Sequence, residues 1–430
     1  MADVESPLEP RVSQHMLPGG ALAPFRYSTF RAIWIANLTS NLGAMMQSVG
    51  AAWLMTSLTD SHRMLALVQA STTLPIMVFS VLAGAIADNY DRRRVMLASQ
   101  NAMLLVSVVL AAATYLGMIS PMLLLVLTLL LGIGTALNSP AWQASVRQQV
   151  GIRDLPQAIA LNTISFNLAR TIGPAVGGLL ISIWSVGMTF AVNAICRPAT
   201  IFVLLRWKPE PSTIDRQPML PAIATGLRFC AASSPIRRVL LHGLVLGFGI
   251  AGYQALLPAV VRSQLHGTEV EFGLLLALFG IGSILAALVI GPARRRWGTQ
   301  AVVTAATLSY IAAQTMLASA DSITAAMPAT FIAGAGWVAG LTTVNVAMQM
   351  RSPEQILGRC LSIYQAVTFG GMAVGSWTWG VLADWFDLSF ALHAASIFLL
   401  ITLILLRLFA PMPQPGEGRV DSVPGKIPSG

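Results

Sequence analysis

The chain has 430 residues, of which 55% are hydrophobic and only 10% are charged, and its mean hydropathy is +0.70. Soluble domains are about a quarter charged, so this chain cannot cover its surface with charge, and most of that surface must face lipid. A net charge of +9 would suggest a nucleic-acid partner in a soluble protein. Here the basic residues lie between apolar runs, so we interpret the charge as membrane topology and expect no nucleic-acid partner.

The sequence offers no recognisable cofactor, metal or catalytic site. The three cysteines, Cys196, Cys230 and Cys360, lack metal-binding spacing, and their odd number argues against a disulfide framework. No nucleotide-binding loop, zinc-type His/Cys cluster or serine nucleophile motif is found. We therefore predict that the protein is not an enzyme and binds no cofactor or metal.

The first 25 residues are polar and proline-rich, unlike a cleaved signal peptide, so we expect the first membrane helix to direct insertion.

Runs without Lys, Arg, Asp or Glu are long enough to cross a bilayer, which takes about 20 apolar residues. These runs are 32–59, 64–87, 95–146, 155–169 with 171–196, 198–205, 239–261, 272–293, 297–320, 322–350, 360–383 and 388–406. The run 95–146 is too long for one span and breaks at Gly117–Pro121, and 155–206 turns near Ser185–Gly187. The sequence thus predicts an all-α membrane protein with twelve transmembrane helices.

The positions of the basic residues predict the orientation of these helices. An even number of spans puts both termini on one side, and 22 of the 26 Lys and Arg residues belong to that side. Arg63 and Arg262 belong to the other side, and Arg170 and Arg197 fall within spans. The positive-inside bias therefore predicts cytoplasmic termini.

The chain divides into two halves around a proline-rich linker. We predict a polar cytoplasmic segment 1–25, a bundle 26–206, a cytoplasmic loop 207–236, a second bundle 237–410 and a disordered cytoplasmic tail 411–430. Within the loop, residues 223–233 predict a short amphipathic helix. Two glycine patterns recur: 84–94 corresponds to 291–298, and 173–177 to 371–375. Together with six spans on each side, these repeats indicate two pseudo-symmetric six-helix bundles, as in many transporters.

A charged turn from Gly84 to Arg94 joins the second and third spans. One interpretation is a solvated loop with positive-inside arginines. The turn also resembles the motif G-x-x-x-D-R-x-G-R-R between the second and third helices of major facilitator transporters. The matching residues are Gly84, Asp88, Arg92 and Arg93, whereas Asn89 and Asp91 replace the usual Arg and Gly.

The resemblance implies that this turn is a conformational switch. In the family, the acidic residue meets the start of the eleventh helix, which falls here near Gly358 and Arg359. A helix N-terminus carries partial positive charge, which favours Asp88 there. The contact requires the cytoplasmic ends of the bundles to be together, so it favours an outward-open state. The second half has Arg295 at the acidic position, so we predict no equivalent contact there.

The fifth span contains Gly173, Pro174, Gly177 and Gly178, which resemble the G-P-x-x-G-G motif of exporters in this superfamily. Ala160 and Ala169 replace two further family glycines. Small residues let helices pack closely and proline bends a helix, so tight packing alone is an alternative to an export-specific role.

Arg170 lies near the middle of the same span. A charge at mid-membrane costs roughly 2.5–3.5 kcal/mol on insertion scales and usually faces a polar interior. We therefore place Arg170 in the transport path or in a network between the bundles, the alternative being a structural Arg tied to carbonyls and amides. All 17 acidic residues fall outside the span interiors, so protons as the coupling ion are implied by the resemblance alone.

The resemblance also implies that the first, fourth, seventh and tenth spans line a central cavity. Their polar and aromatic residues are Asn37, Asn41, Gln47, Asn138, Tyr253, Gln254, Asn345 and Gln349. Such groups, beside methionine and aromatic side chains, suit a mainly apolar organic substrate with a few hydrogen-bonding groups. Interhelical hydrogen bonding is the alternative for each.

The resemblance covers about residues 26–410 and is closest to the bacterial branch with enterobactin exporters and macrolide-efflux-like proteins. The residues that carry it are Phe30–Trp34, Leu74-Pro75, Leu161-Asn162 with Phe166–Gly178, and Gly358-Arg359 through Gly370-Gly371 to Leu382-Ala383-Asp384. It implies a monomeric secondary transporter in the lipid bilayer of the bacterial inner membrane. Such a transporter would export a siderophore or drug-like amphiphile by alternating access and proton antiport. An importer of the same fold and a non-transporting membrane partner or receptor are alternatives, since fold does not determine substrate.

Overall fold

A computed structural model describes residues 22–208, 219–353 and 356–413 of the chain. In these ranges it forms twelve α-helices and no strand. The helices are α1 (Ser28–Leu58), α2 (His62–Asn89), α3 (Arg92–Tyr115), α4 (Pro121–Ser145), α5 (Leu155–Ile183), α6 (Val186–Arg206), α7 (Met219–Ala232), α8 (Ser234–Ala259), α9 (Glu269–Ala318), α10 (Ile323–Gln349), α11 (Leu357–Trp385) and α12 (Leu388–Phe409).

Eleven of these helices provide twelve membrane spans. Nine described helices are long and apolar enough to cross a membrane by length and composition, and α1 and α11 are similarly long, with 31 and 29 residues. Helix α9 has 50 residues, or about 75 Å at 1.5 Å per residue, and Gly298 interrupts it with a φ of 81°. It therefore contributes two spans. Spans α1–α6 form one bundle and α8–α12 the other, as the sequence predicts.

The short helix α7 lies between the bundles, where the linker sequence predicts an amphipathic helix. The predicted terminal segments 1–25 and 411–430 fall mostly on residues 1–21 and 414–430, outside the described residues, as does 209–218 of the linker. Gly226 of α7 faces the first turn of α11, where a Cβ atom would lie 3.0 Å from that of Arg359. The linker therefore packs on the second bundle.

We call the two ends of the bundles the arginine-rich face and the opposite face. The arginine-rich face carries Arg92–Arg94, Arg147, Arg237, Arg294–Arg296 and Arg359, and the opposite face carries the α1–α2, α3–α4 and α5–α6 turns. On the opposite face, α2, α4, α10 and α12 each begin with a side-chain cap. The residues that accept these backbone hydrogen bonds are Ser61, Ser120, Ser322 and Asp387. Caps satisfy amides that a helix start leaves unpaired, which explains where these spans begin.

Equivalent glycines bring equivalent spans together in the two bundles. A Cβ on Gly177 of α5 would lie 3.1 Å from Cα of Met46 on α1, and one on Gly375 of α11 would lie 2.9 Å from Cα of Phe248 on α8. Helices α1 and α8 are the first spans of their bundles. The glycine repeat in the sequence therefore corresponds to a repeated helix contact.

A second close crossing, between α9 and α10, positions part of the candidate site. A Cβ on Gly282 would overlap the carbonyl of Phe331, and one on Gly334 would overlap the carbonyl of Phe279. Only glycine permits this approach. Because the backbones are so close, the rings of Phe279 on α9 and Trp337 on α10 lie 6.3 Å apart, centroid to centroid.

Candidate functional site

The charged turn after α2 ties three helices of the first bundle together. Asp91 caps α3 by accepting a hydrogen bond from the amide of Arg94 at 3.1 Å. Arg92 donates to the carbonyl of Ala144 at 3.2 Å. Arg93 donates to the last carbonyls of α6, those of Leu204 at 2.7 Å and Leu205 at 2.6 Å. Carbonyls at a helix C-terminus are unpaired and partly negative, so both arginines stabilise the ends of neighbouring helices.

The same turn lies at a contact between the bundles. Ser80 on α2 donates to the carbonyl of Ser362 on α11 at 3.1 Å, and a Cβ on Gly84 would lie 3.2 Å from the Ser362 hydroxyl. Asp88 belongs to α2, but its side chain lies outside the described part of the structure. Its predicted contact with the start of α11, at Arg359, therefore stays a prediction.

On the opposite face, Asp384 near the end of α11 meets the beginning of α2. Its carboxylate accepts hydrogen bonds from the Ser61 hydroxyl at 2.8 Å and from the His62 amide at 2.5 Å. The Arg63 guanidinium is 4.0 Å away and half exposed, so that ion pair adds little. The carboxylate instead benefits from hydrogen bonds to the partly positive start of a helix.

In the sequence, Asp384 is recognised only as part of the family motif Leu382-Ala383-Asp384. The sequence therefore does not predict this contact between the bundles. The available signal is Asp384 itself, an acidic residue at the end of an apolar run. It lies on the side of the membrane where α2 of the other bundle begins. From sequence alone nothing pairs that end of α11 with the start of α2, because the two are more than 300 residues apart.

Arg262 and two aromatic rings join the bundles elsewhere on the opposite face. Arg262, in a π-helical turn that follows α8, donates to the Thr56 hydroxyl at 3.1 Å. Its guanidinium carbon lies 5.5 Å from the centroid of the Trp53 ring. Trp53 in turn stacks on Phe272 of α9 at 5.7 Å. Helix α1 is therefore held against α8 and α9 at this end.

The glycine–proline motif packs α5 on both sides. Gly173 and Gly177 face Met45 and Met46 of α1. Gly178 faces α9, where a Cβ would lie 3.2 Å from Cα of Gly273, and a Cβ on Gly273 would lie 2.7 Å from the carbonyl oxygen of Pro174. The motif therefore contributes both to the first bundle and to its contact with the second.

Arg170, two turns before Gly178 on α5, reaches across to the second bundle. Its guanidinium carbon lies 5.1 Å from the centroid of the Phe279 ring and 5.0 Å from that of Trp337. Such cation–π contacts are worth about 0.5–2 kcal/mol each, most where water is excluded. No described carboxylate forms an ion pair with Arg170, so its charge has aromatic neighbours but no acidic one in this part of the chain.

Tyr253 and Gln254 of α8 belong to the same region. The Tyr253 ring lies 5.8 Å from that of Tyr310 and 6.3 Å from that of Phe279. Gln254 reaches back to Gln69 of α2, with 3.5 Å between the side-chain amides. The structure thus gathers three predicted site residues, Arg170, Tyr253 and Gln254, where the bundles meet.

The other predicted pathway residues lie elsewhere. Gln47 is buried and accepts a hydrogen bond from Asn193, which also donates to Ser107 at 3.1 Å. These partners belong to the first bundle, which favours the interhelical alternative for Gln47. Asn345 and Gln349 bond to each other at 2.6 Å near the end of α10.

The remaining three, Asn37, Asn41 and Asn138, are half-buried, and the buried side-chain oxygen of Asn138 has no hydrogen-bond partner among the described residues. Arg197, the other arginine within a span, is enclosed in the first bundle. Only 4% of it is exposed, and it donates to Gln100 at 3.2 Å. It therefore does not face the second bundle as Arg170 does.

A family model described as transmembrane secretion effector matches residues 19–424. The chain belongs to this family of major facilitator transporters. The function of the family is transport and not an enzymatic reaction, in agreement with the sequence analysis.

Relatives of this transporter include named exporters. It is 26% identical to the multidrug efflux pump Tap of Mycolicibacterium fortuitum over 88% of this chain and 94% of that protein. It is 25% identical to the enterobactin exporter EntS of Shigella boydii over 90% of this chain and 94% of that one. With the staphyloferrin A transporter of Staphylococcus aureus it shares 26% identity over 58% of this chain and 63% of the relative.

Solved structures support the fold of the transporter. It superposes on the nucleoside transporter NupG with a TM-score of 0.74 at 12% identity, over 88% of this chain and 99% of that one. For an inward-facing bacterial homolog of the lysosomal transporter Spinster, the TM-score is 0.69 at 15% identity, over 90% and 97% of the chains. At these identities the likeness is one of fold alone.

Proposed function

We propose that this transporter exports small organic molecules across a bacterial inner membrane by alternating access. The observation that carries the proposal is the cluster of Arg170, Tyr253 and Gln254 with aromatic rings, located where the two bundles meet. In transporters built from two repeats, the substrate site lies near the bilayer midplane between them. A siderophore or a drug-like amphiphile is the proposed cargo, by analogy with the enterobactin exporter and the multidrug efflux pump among its relatives.

The orientation of the protein is proposed from the positive-inside rule, and the direction of transport from the relatives. The arginine-rich face is assigned to the cytoplasm, so the opposite face is assigned to the outside. Contacts of Asp384, Arg262 and Gly178 then hold the outer ends of the bundles together. Export requires these contacts to break, while the predicted Asp88 contact forms on the cytoplasmic side.

Proton antiport completes the proposal, and it rests on the family resemblance. No acidic residue lies in a span interior, so a coupling proton would need a group at the end of a span or a protonated cargo. Coupling is therefore tested separately from export.

The test is a retention screen in a strain that lacks the gene. Cells are loaded with a panel of siderophores and amphiphilic drugs, and the compound retained is measured with and without a proton uncoupler. We expect at least one compound to be retained by the deletion strain and expelled when the gene is restored. An uncoupler that abolishes the difference supports proton drive. A restored strain that accumulates a compound more than the deletion strain would instead indicate import.

A further inference from the structure

We infer that the cargo is an organic anion with a planar ring, and that Arg170, Phe279 and Trp337 bind it. The inference rests on the proposed function, because it names the class of molecule that the transporter moves.

The charge of Arg170 has no acidic counterpart in the part of the chain that the structure describes. All 17 acidic residues fall outside the span interiors, and no described residue accepts a hydrogen bond from the Arg170 guanidinium. Buried charges are normally paired, because an isolated charge is costly outside water. The residue keeps partial exposure, and its guanidinium lies between the bundles, against Phe279 and Trp337. A carboxylate or another planar anion would supply the missing acceptor, in the two-pronged geometry that a guanidinium favours.

Polar groups beside Arg170 also lack partners among the described residues. The hydroxyl of Tyr310 is completely buried and forms no hydrogen bond of normal geometry, and the same holds for the side-chain nitrogen of Gln254. Tyr310 packs against Tyr253, the residue before Gln254, and the Tyr253 ring lies beside Phe279, which Arg170 contacts. A hydroxyl and an amide nitrogen can both donate. The region therefore offers several donors and a positive charge, which suits a ligand rich in acceptor oxygens.

The aromatic rings define the rest of the ligand. Phe279, Trp337, Tyr253 and Tyr310 form one contiguous group, with neighbouring centroids 5.8 to 6.3 Å apart. Aromatic rings stack on planar groups or meet them edge to face. Arg170 contacts Phe279 and Trp337 across the bundle interface, so a ligand that binds all three touches both bundles. This is the position from which cargo can influence the opening of the transporter.

Arg197 provides a comparison within the same protein. It is also an arginine within a span, but it is 4% exposed, and its hydrogen bonds to Gln100 and to the sulfur of Met103 stay within the first bundle. Arg170, in contrast, meets the rings of the second bundle. A role in charge selection therefore belongs to Arg170 and not to arginines within spans in general.

The test uses three probes that share one ring system and differ in charge: naphthoate, naphthalenemethanol and naphthylmethylammonium. Their binding to the purified full-length protein in detergent is measured by equilibrium dialysis. We expect naphthoate to bind about tenfold or more tightly than the cation. Arg170→Gln should abolish this preference, and Arg170→Lys should retain it with weaker binding, because lysine keeps the charge but loses the planar fork. Arg197→Gln should keep the preference of the wild type.

Several results would overturn the inference. These are equal binding of the three probes, tighter binding of the cation, no saturable binding of naphthoate, or an unchanged preference in folded Arg170→Gln. Folding of each variant is checked by its elution as a single species and by its melting temperature, and Arg170→Lys keeps the test valid if the glutamine variant does not fold. The binding measurement does not require transport. A preference for the anionic probe without export would therefore contradict only the proposed function. Export of neutral or cationic compounds without that preference would contradict only this inference.

Discussion

Asp91 departs from the family motif and has a structural role that the motif does not include. The motif has glycine at this position, whereas here the Asp91 carboxylate caps α3. Sequence alone predicts the turn and its charge. It does not predict the cap, because the motif assigns no function to a carboxylate there.

We expect Asp91→Ala to lower the free energy of unfolding by about 1 kcal/mol and Asp91→Gly by only a few tenths. Alanine removes the acceptor of the Arg94 amide, and glycine leaves that amide open to water. Asp91→Asn is the matched control, because its side-chain oxygen can still cap the helix. Thermal unfolding of the purified variants should rank wild type and Asn above Gly, and Gly above Ala. An alanine variant as stable as the wild type would show that the cap is dispensable.

The aromatic neighbours of Arg170 are a feature of single residues that the sequence does not predict. Its position within a span predicts a polar or functional environment. Its actual neighbours, Phe279 and Trp337, lie on two helices of the other bundle. No periodicity or spacing in the sequence identifies which aromatic rings a side chain meets across an interface, so this contact required the structure.

At the scale of helices, the close approach of α5 and α9 depends on Gly178 of α5 and Gly273 of α9. We expect Gly178→Leu to reduce export strongly, because its side chain would overlap the backbone of Glu269 on α9. Gly291→Ala, on α9 itself, is the control, since the nearest atom to its Cβ would be 3.9 Å away. Compound retention in the restored deletion strain measures both variants. Normal export by a well-expressed Gly178→Leu variant would contradict this role.

The contact between α11 and α2 leads to a second prediction at this scale. Asp384→Asn keeps an oxygen acceptor but removes the charge that favours the start of α2, which costs about 1 kcal/mol and shifts the ratio of closed to open outer ends about fivefold. A cysteine introduced at Ala66, which packs against Gly380 of α11, should then react faster with an impermeant maleimide. The native cysteines are replaced first.

Asp387→Asn is the control for that experiment. Asp387 caps α12 and accepts from the amide of Phe390 at 2.6 Å, so its substitution affects one bundle only. The labelling rate at position 66 should not change in this variant. Equal rates in wild type and Asp384→Asn would show that the carboxylate does not hold the outer ends together.

For the molecule as a whole, the sequence is sufficient to predict the architecture. The apolar runs predict the twelve spans, and the turns at Gly117 and near Ser185 occur where the runs predict them. Even the division of α9 is predicted, because the charges at Arg294–Arg296 separate two apolar runs that are each long enough for one span. These features follow from the thickness of the bilayer and the cost of burying charge, which act locally along the chain.

The pathway is predicted less completely because it depends on contacts between distant segments. Of the eight uncharged residues proposed to line it, Tyr253 packs on Phe279, which Arg170 contacts, and Gln254 reaches Gln69 of the first bundle. Gln47, in contrast, is enclosed within the first bundle. Membership of a pathway-lining span does not determine which way a side chain points. That depends on the rotation of each helix, which is set by packing against its neighbours.

The direction of transport is the central claim, and flux into vesicles of known orientation tests it most directly. A compound returned by the retention screen is added to everted vesicles, whose cytoplasmic face is outside, and to right-side-out vesicles from the same cells. We predict accumulation in everted vesicles, loss of that accumulation in Gly178→Leu, and no accumulation in right-side-out vesicles. Accumulation in the right-side-out vesicles alone would contradict export.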